Sequence, residues 1–417
     1  MEKVVTAKEA ISHIEQGQRI FLGTGPSEPQ TLVEALVEDK DRLAGSHLIA
    51  GYHEVCPCPY LPLAEQGYFK FHTFMVSAKS REGIKGGWVE YIPANIFEIA
   101  RMLKEKIVPI DVALVQVSPP NEQGLYSLGI GVDYNVAAIQ SAKLVIAEVN
   151  EQMSWTYGDG VISPSEIDFF VNSSRPLLIM KPPKIGEAER KIGEYINELI
   201  EDGATLQLGL GAIPEVILQF LEDKKELGVH SGMMTDGIIG LFEKGVITNS
   251  RKGIDEGKSV TGTLLGTEKI YRFVHNNPAI LFKTVDYTHN PMVIARINKF
   301  TSINSALEVD FWGQINAEFL NGVQVSSVGG QLDFIRAAIH SPGGKSIVAL
   351  PSTSRDGRHS RIVATLKAGD TVTTPRHDIH YIVTEYGIAD LKGKVFSERV
   401  RALKAIAHPD FRDRLYT

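Results

Sequence analysis

The sequence predicts an α/β protein of two similar halves, each with a mostly parallel sheet. Three observations carry that expectation. Short apolar runs suited to buried strands alternate with segments of helical period along the chain. A glycine-marked strand–turn–helix pattern occurs twice at one offset. Between the copies lies a polar stretch with two prolines, KPPKIGEAERK (181–191), which reads as a linker.

In the first half RIFLGTG, DVALVQVS, AKLVIAEVN and PLLIM read as strands, and PQTLVEALVEDKDRLA as an amphipathic helix. In the second half ATLQLGLG, KSIVALPS and IHYIVTEYG read as strands, with EAERKIGEYINELIEDG a helix. The repeat pairs GQRIFLGTGPSEPQTLVEALV (17–37) with GATLQLGLGAIPEVILQFLED (203–223). Gly17, Gly23 and Gly25 fall on Gly203, Gly209 and Gly211 (203 − 17 = 186). The expected domains are 1–185 and 186–417, with the active site in a cleft where facing strand ends meet.

Each half continues into a second strand. HLIAGY ends in His53-Glu54, and GVHSGMMTDG (228–237) ends its strand in His230-Ser231-Gly232. Strand ends of this kind are where α/β proteins place their chemistry. Glu54 is expected at roughly the pseudo-equivalent place to Gly232, so one half offers a carboxylate and the other a blank. Asp236 is expected to cap a helix that stops at Gly245.

The 417 residues carry a net charge of −7 without charged blocks, and 43% are hydrophobic. No basic tract interleaves with aromatics, so a nucleic-acid role lacks support. No apolar run reaches membrane-spanning length, and the amino terminus lacks a signal-peptide core. The two cysteines, Cys56 and Cys58, flank one proline. That makes a disulfide scaffold a poor reading and a reduced, cytoplasmic protein the expectation. His53, Cys56 and Cys58 are too few and poorly spaced for zinc, and no metal site is expected.

Several stretches resemble the acetyl-CoA hydrolase/transferase family, and within it the 4-hydroxybutyrate and butyrate CoA-transferase branch of the family I CoA-transferases. They are LGLGAIP (208–214), EKGVITN (243–249), INSALEVDFWGQINAE (303–318), SSVGGQLDFIRAA (326–338) and TEYGIADLKGK (384–394). In the first half VSPPNEQGLYSLG (117–129) and AKLVIAEVNEQM (142–153) also match. The resemblance spans nearly the whole chain. It implies two NagB/RpiA-like domains and a ping-pong transfer of CoA through a glutamyl-CoA thioester. CoA and acyl-CoA are then substrates and no cofactor is bound permanently. The expected partners are an acyl-CoA, a small carboxylic acid and further copies of the chain in a homo-oligomer.

In the family pattern, similar to GIHSEM, the glutamate is the nucleophile. Here Gly232 stands in its place, and glycine has no nucleophile. Glu54 is the carboxylate expected to take over; its structural alternative is an ordinary solvated strand-end glutamate. Glu308 and Glu385 read as positioning groups. Gly209, Leu210 and Gly211 open a helix and are expected beside the acyl-CoA, where missing Cβ atoms admit a ligand. Gly329 and Gly330, with Asn290 in YTHNP, are the candidate oxyanion donors. The loop STSRDGRHSR (352–361) reads as a closing turn, with a lesser claim on the CoA phosphates. Transfer remains open against two alternatives: acyl-CoA hydrolysis, and acyl-CoA binding without turnover.

Overall fold

The structure is a computed structural model that describes residues 2–415. The chain forms two compact units. The first comprises Met1–Met180 and Val260–Thr288, the second Lys181–Ser259 and His289–Thr417.

The first unit is built on seven strands: β1 (Arg19–Leu22), β2 (His47–Ala50), β3 (Lys70–Thr73), β4 (Val89–Tyr91), β5 (Val112–Val117), β6 (Leu144–Asn150) and β7 (Phe169–Ser173). Their order is β7-β6-β5-β1-β2-β3-β4, and every pair is parallel. All six residues of β5 are buried, as a central parallel strand covered on both faces requires. Helix α1 (Gln30–Glu38) buries Leu32, Val33 and Leu36 on one face. They join Ile20, Leu22, Leu48 and Leu114 in one core, each such side chain contributing about 1.5–3 kcal/mol by its burial. The short helix α2 (Tyr60–Glu65) packs into the same core through Tyr60, Leu61 and Leu63.

In the second unit helix α3 (Glu187–Leu199) leads to β8 (Thr205–Leu208), α4 (Ala212–Phe220), β9 (Gly228–Val229) and α5 (Ile238–Glu243). Further on come α6 (Pro291–Ile294), β10 (Phe300–Ser305), α7 (Gln331–His340), β11 (Lys345–Ala349), β12 (Tyr381–Thr384) and β13 (Gly387–Asp390). The sheet order is β9-β8-β10-β11-β12-β13, parallel except for the last pair. Mostly parallel sheets in both halves match the predicted fold class.

The repeat is kept at its strand and lost at its helix. Strands β1 and β8 begin and end 186 apart (205 − 19 and 208 − 22). Helix α4 starts earlier than that offset gives, at Ala212, because Pro26 and Pro29 divert the first half through a 3-10 turn, Gly25–Ser27. Proline is tolerated within the first turn of α4, where Pro214 has no N–H to lose.

Three readings change. PLLIM is not a strand. The edge strand is the preceding FFVNS (β7), and the Leu178 carbonyl and Met180 N–H bond instead to Tyr271 and Gly266, at 2.7 and 2.9 Å. Asp236 does not cap α5; Gly237 holds that position without a side-chain bond, while Gly245 does follow the stop with φ +69°. Residues 260–288, placed by sequence in the second half, pack with the first unit. There Ile280–Phe282 pairs with Tyr157–Gly158, Ser154 bonds the Tyr271 carbonyl at 2.7 Å, and Lys104 meets Asp286 at 2.8 Å.

Candidate functional site

In the second unit β8 delivers the Gly209–Gly211 loop. Gly209 N–H donates to the Ile303 carbonyl at 3.3 Å, and Gly211 (φ +114°) stands at the amino end of α4. A side chain at Gly211 would be strained by that backbone, although the space around it is open. Beneath the loop, Leu206, Leu208, Gly209, Ser231, Met233 and Ile238 line an apolar cavity of about 10 Å³, the room of one water. Leu210 follows in the same turn.

The turn after β9 is anchored three ways. Ser231 Oγ donates to the Leu208 carbonyl at 3.1 Å. Asn249 Oδ1 accepts from Val229 N–H at 2.9 Å. The fully buried Lys252 ammonium donates to the Val229 carbonyl at 3.0 Å and to the Lys258 carbonyl at 2.7 Å. Burial lowers the Lys252 pKa to about 8.

Gly232 is not facing empty space. A Cβ there would lie 2.4 Å from Cε1 and 2.6 Å from Nε2 of His289. A Cβ on Gly330 would meet the same ring at 2.5 Å (Cδ2) and 2.6 Å (Nε2). The imidazole is therefore held between two glycines, with the Phe334 ring 4.5 Å away. Burial depresses its pKa to about 3, so it is neutral. Asn290 Oδ1 accepts from Met292 N–H at 2.9 Å and caps α6. Gly329 (φ +61°) and Gly330 form the turn that enters α7. Gly232, Asn290 and Gly330 are thus brought together around His289, and Gly209 shares a cavity with the neighbours of Gly232.

Glu54 belongs to the first unit. It is half-buried beyond β2, and its Oε2 accepts from Ala78 N–H at 2.8 Å. Among the described residues nothing donates to its Oε1. Strand register corrects its expected equivalence with Gly232. Ile20 pairs with Leu48 and Leu206 with Val229, and 206 − 20 is the repeat offset, so Val229 answers to Leu48. Counting on, Gly232 answers to Gly51 and Glu54 to Thr235. Gly51, too, is faced by a ring: its Cβ would overlap the Tyr134 hydroxyl.

Sequence reading missed three buried carboxyls around the segment that follows β1. Glu28 is 1% exposed, its Oε2 accepting from Tyr60 at 2.9 Å and its Oε1 buried without a hydrogen bond. Asp133 accepts from Thr24 Oγ1 at 2.9 Å, and Glu148 holds the Thr31 N–H at the start of α1 at 2.8 Å. Only Glu28 left a signal, a carboxylate between two prolines in the turn that follows β1. Glu385 is tied by Ser352, whose N–H and Oγ donate at 2.8 and 2.6 Å, as suits a positioning group. Burial raises the Glu308 pKa, with Asp370 adding to it. Among the described residues no cluster of three His, Cys, Asp or Glu is arranged for a metal, and no helix is long and apolar enough to cross a membrane.

Comparison with known proteins follows these features along the chain. Residues 1–179 match the acetyl-CoA hydrolase/transferase N-terminal domain, and residues 266–417 the C-terminal domain. The chain is 47% identical to 4-hydroxybutyrate coenzyme A transferase of Clostridium kluyveri, covering 99% of this chain and 96% of the relative. It is 38% identical to succinyl-CoA:cyclohexane-1-carboxylate CoA transferase of Geobacter metallireducens, over 99% and 94%. The crystal structure of RipA from Yersinia pestis superposes with a TM-score of 0.94 at 37% identity, covering 99% of this chain and 96% of that one.

Proposed function

The chain belongs to the acetyl-CoA hydrolase/transferase family and is an acyl-CoA:carboxylate CoA-transferase, and on that premise we propose that Glu54 is its nucleophile. One observation carries the assignment. Glu54 is a half-buried strand-end carboxylate with one oxygen held by a backbone N–H and the other accepting nothing from the described residues. Glu28, Asp133 and Glu148 are buried, and Glu385 is occupied by Ser352.

The steps balance without a resident cofactor. The Glu54 carboxylate attacks the thioester carbonyl, and CoA leaves as thiolate from an acyl-glutamyl anhydride. The thiolate attacks the glutamyl carbonyl, releasing the first acid as carboxylate and leaving glutamyl-CoA. The second acid attacks that thioester and regenerates an anhydride and CoA thiolate. Thiolate attack on the acyl carbonyl then gives the new acyl-CoA and free Glu54. Backbone N–H groups at Gly329 and Gly330 are donors suited to the oxyanions. The Gly209–Gly211 loop suits a passing pantetheine, and the apolar space below it must open to admit one. Short acids, a homo-oligomer and a cytoplasmic setting complete the reading.

Incubation with acyl-CoA and borohydride should reduce the thioester and mark Glu54 in the mass spectrum. Glu54→Ala should lose transfer by roughly 10³-fold or more together with the mark. Glu54→Asp should keep little, its carboxylate being displaced by about one bond length. Full transfer by Glu54→Ala moves the nucleophile elsewhere, and CoA release without an acceptor acid marks a hydrolase instead.

A further inference from the structure

Glu28 is a carboxyl that the transfer steps do not use, yet it sits under the segment that carries Glu54. That segment is stitched to the loop after β1 by three bonds. Gly25 N–H donates to the Tyr52 carbonyl at 2.7 Å, Cys56 Sγ to the Gly25 carbonyl at 3.3 Å, and Tyr60 Oη to Glu28 Oε2 at 2.9 Å. On the other side the segment meets residues 78–79. Ala78 N–H holds Glu54 Oε2, and the Lys79 ammonium donates to the Cys56 carbonyl. Gln116 Nε2 fixes the Glu28 carbonyl at 2.8 Å, so the backbone of Glu28 cannot drift.

We propose that Glu28 is a positioning residue for Glu54, holding the 52–60 segment through Tyr60 in its neutral form and disturbing it when ionised. The inference rests on Glu54 being the nucleophile. Around the Glu28 carboxyl stand the Tyr60 hydroxyl and the Cys56 and Cys58 thiols, with Lys79 and Glu148 acting at longer range. Burial raises its pKa to about 7; Tyr60, Cys56 and Lys79 pull it down and Glu148 adds to the rise. A charge formed there has one oxygen without a donor. Such a charge attracts the Lys79 ammonium, which the Cys56 carbonyl otherwise holds, and Lys79 directly follows Ala78, the residue that orients Glu54.

The test is the pH profile of transfer and of the borohydride-trapped Glu54 adduct, from pH 6 to 8.5. In the native protein both should fall above a midpoint near 7, by up to tenfold per pH unit. Glu28→Gln keeps the shape and removes the charge, so it should stay active and lose this limb. Tyr60→Phe removes a bond that favours the ionised form, so it should move the limb to higher pH; it also reports if Glu28→Gln does not fold. An unchanged limb in Glu28→Gln, or an unmoved one in Tyr60→Phe, overturns the proposal. Absence of any adduct on Glu54 at every pH overturns the nucleophile assignment instead, so the two failures are told apart.

Discussion

Replacing Gly232 by alanine measures how tightly His289 fills the place where the family motif has a glutamate. The new Cβ would sit 2.4 Å from the imidazole, inside the 3.0 Å that real Cβ contacts essentially never cross. The ring cannot simply retreat. Gly330 lies against it, the Phe334 ring is 4.5 Å away, and His289 is buried. Overpacking of this kind costs about 1–3 kcal/mol. Gly232 has no left-handed φ, so alanine recovers about 0.4–1 kcal/mol through the unfolded chain. The net expectation is a loss of roughly 1–2 kcal/mol. Guanidinium unfolding of the single and double variants with His289→Ala should reveal a coupling of about 1–3 kcal/mol. Amide exchange at residues 228–232 should show the same cycle locally. Wild-type stability of Gly232→Ala, or coupling below about 0.5 kcal/mol, would refute the ring-filled reading.

Two further outcomes are expected. Gly209→Ala places its Cβ no nearer than 3.7 Å to anything, so stability should hold within about 0.5 kcal/mol while the acyl-CoA KM rises; unchanged kinetics would take the loop out of the site. Gly211→Val is a poorer probe, because φ +114° adds about 1–3 kcal/mol of backbone strain and unfolding would accompany any kinetic loss. Lys252 gives up its proton near pH 8 when folded and near 10.5 when unfolded, so the unfolded chain binds more protons between those values. Stability should therefore rise across that window by roughly 3 kcal/mol, and Lys252→Met should remove the rise; equal urea-midpoint slopes in the two proteins would count against it.

The strands were legible because their signal is local. RIFL and TLQL sit at one offset, and VALVQV is apolar throughout, so pattern alone finds them. What escaped depends on partners far along the chain. PLLIM has a strand's composition, but Tyr271 and Gly266 take its backbone bonds. The match of Glu54 to Gly232 failed because pairing register, not distance from a turn, decides equivalence. His289 looked like one residue of YTHNP; that two glycines make its slot is visible only in three dimensions. Glu28 carried a faint mark in its two flanking prolines, yet its burial comes from Tyr60 and Cys56, contributed by another loop.

Residues 260–288 complete the first unit after the chain has already left it at Met180. That return has a consequence for biosynthesis. The first unit cannot close when its own amino-terminal run emerges from the ribosome. It must wait for the next 108 residues (288 − 180), which at about 5–20 residues per second takes between about 5 and about 20 s. During that interval Val285 is missing from a core that includes Phe21, Phe74 and Tyr134, and Tyr157–Gly158 lacks its partner strand. A nascent chain halted near residue 185 should therefore expose apolar surface and invite chaperones, whereas one halted beyond 288 has everything the first unit needs.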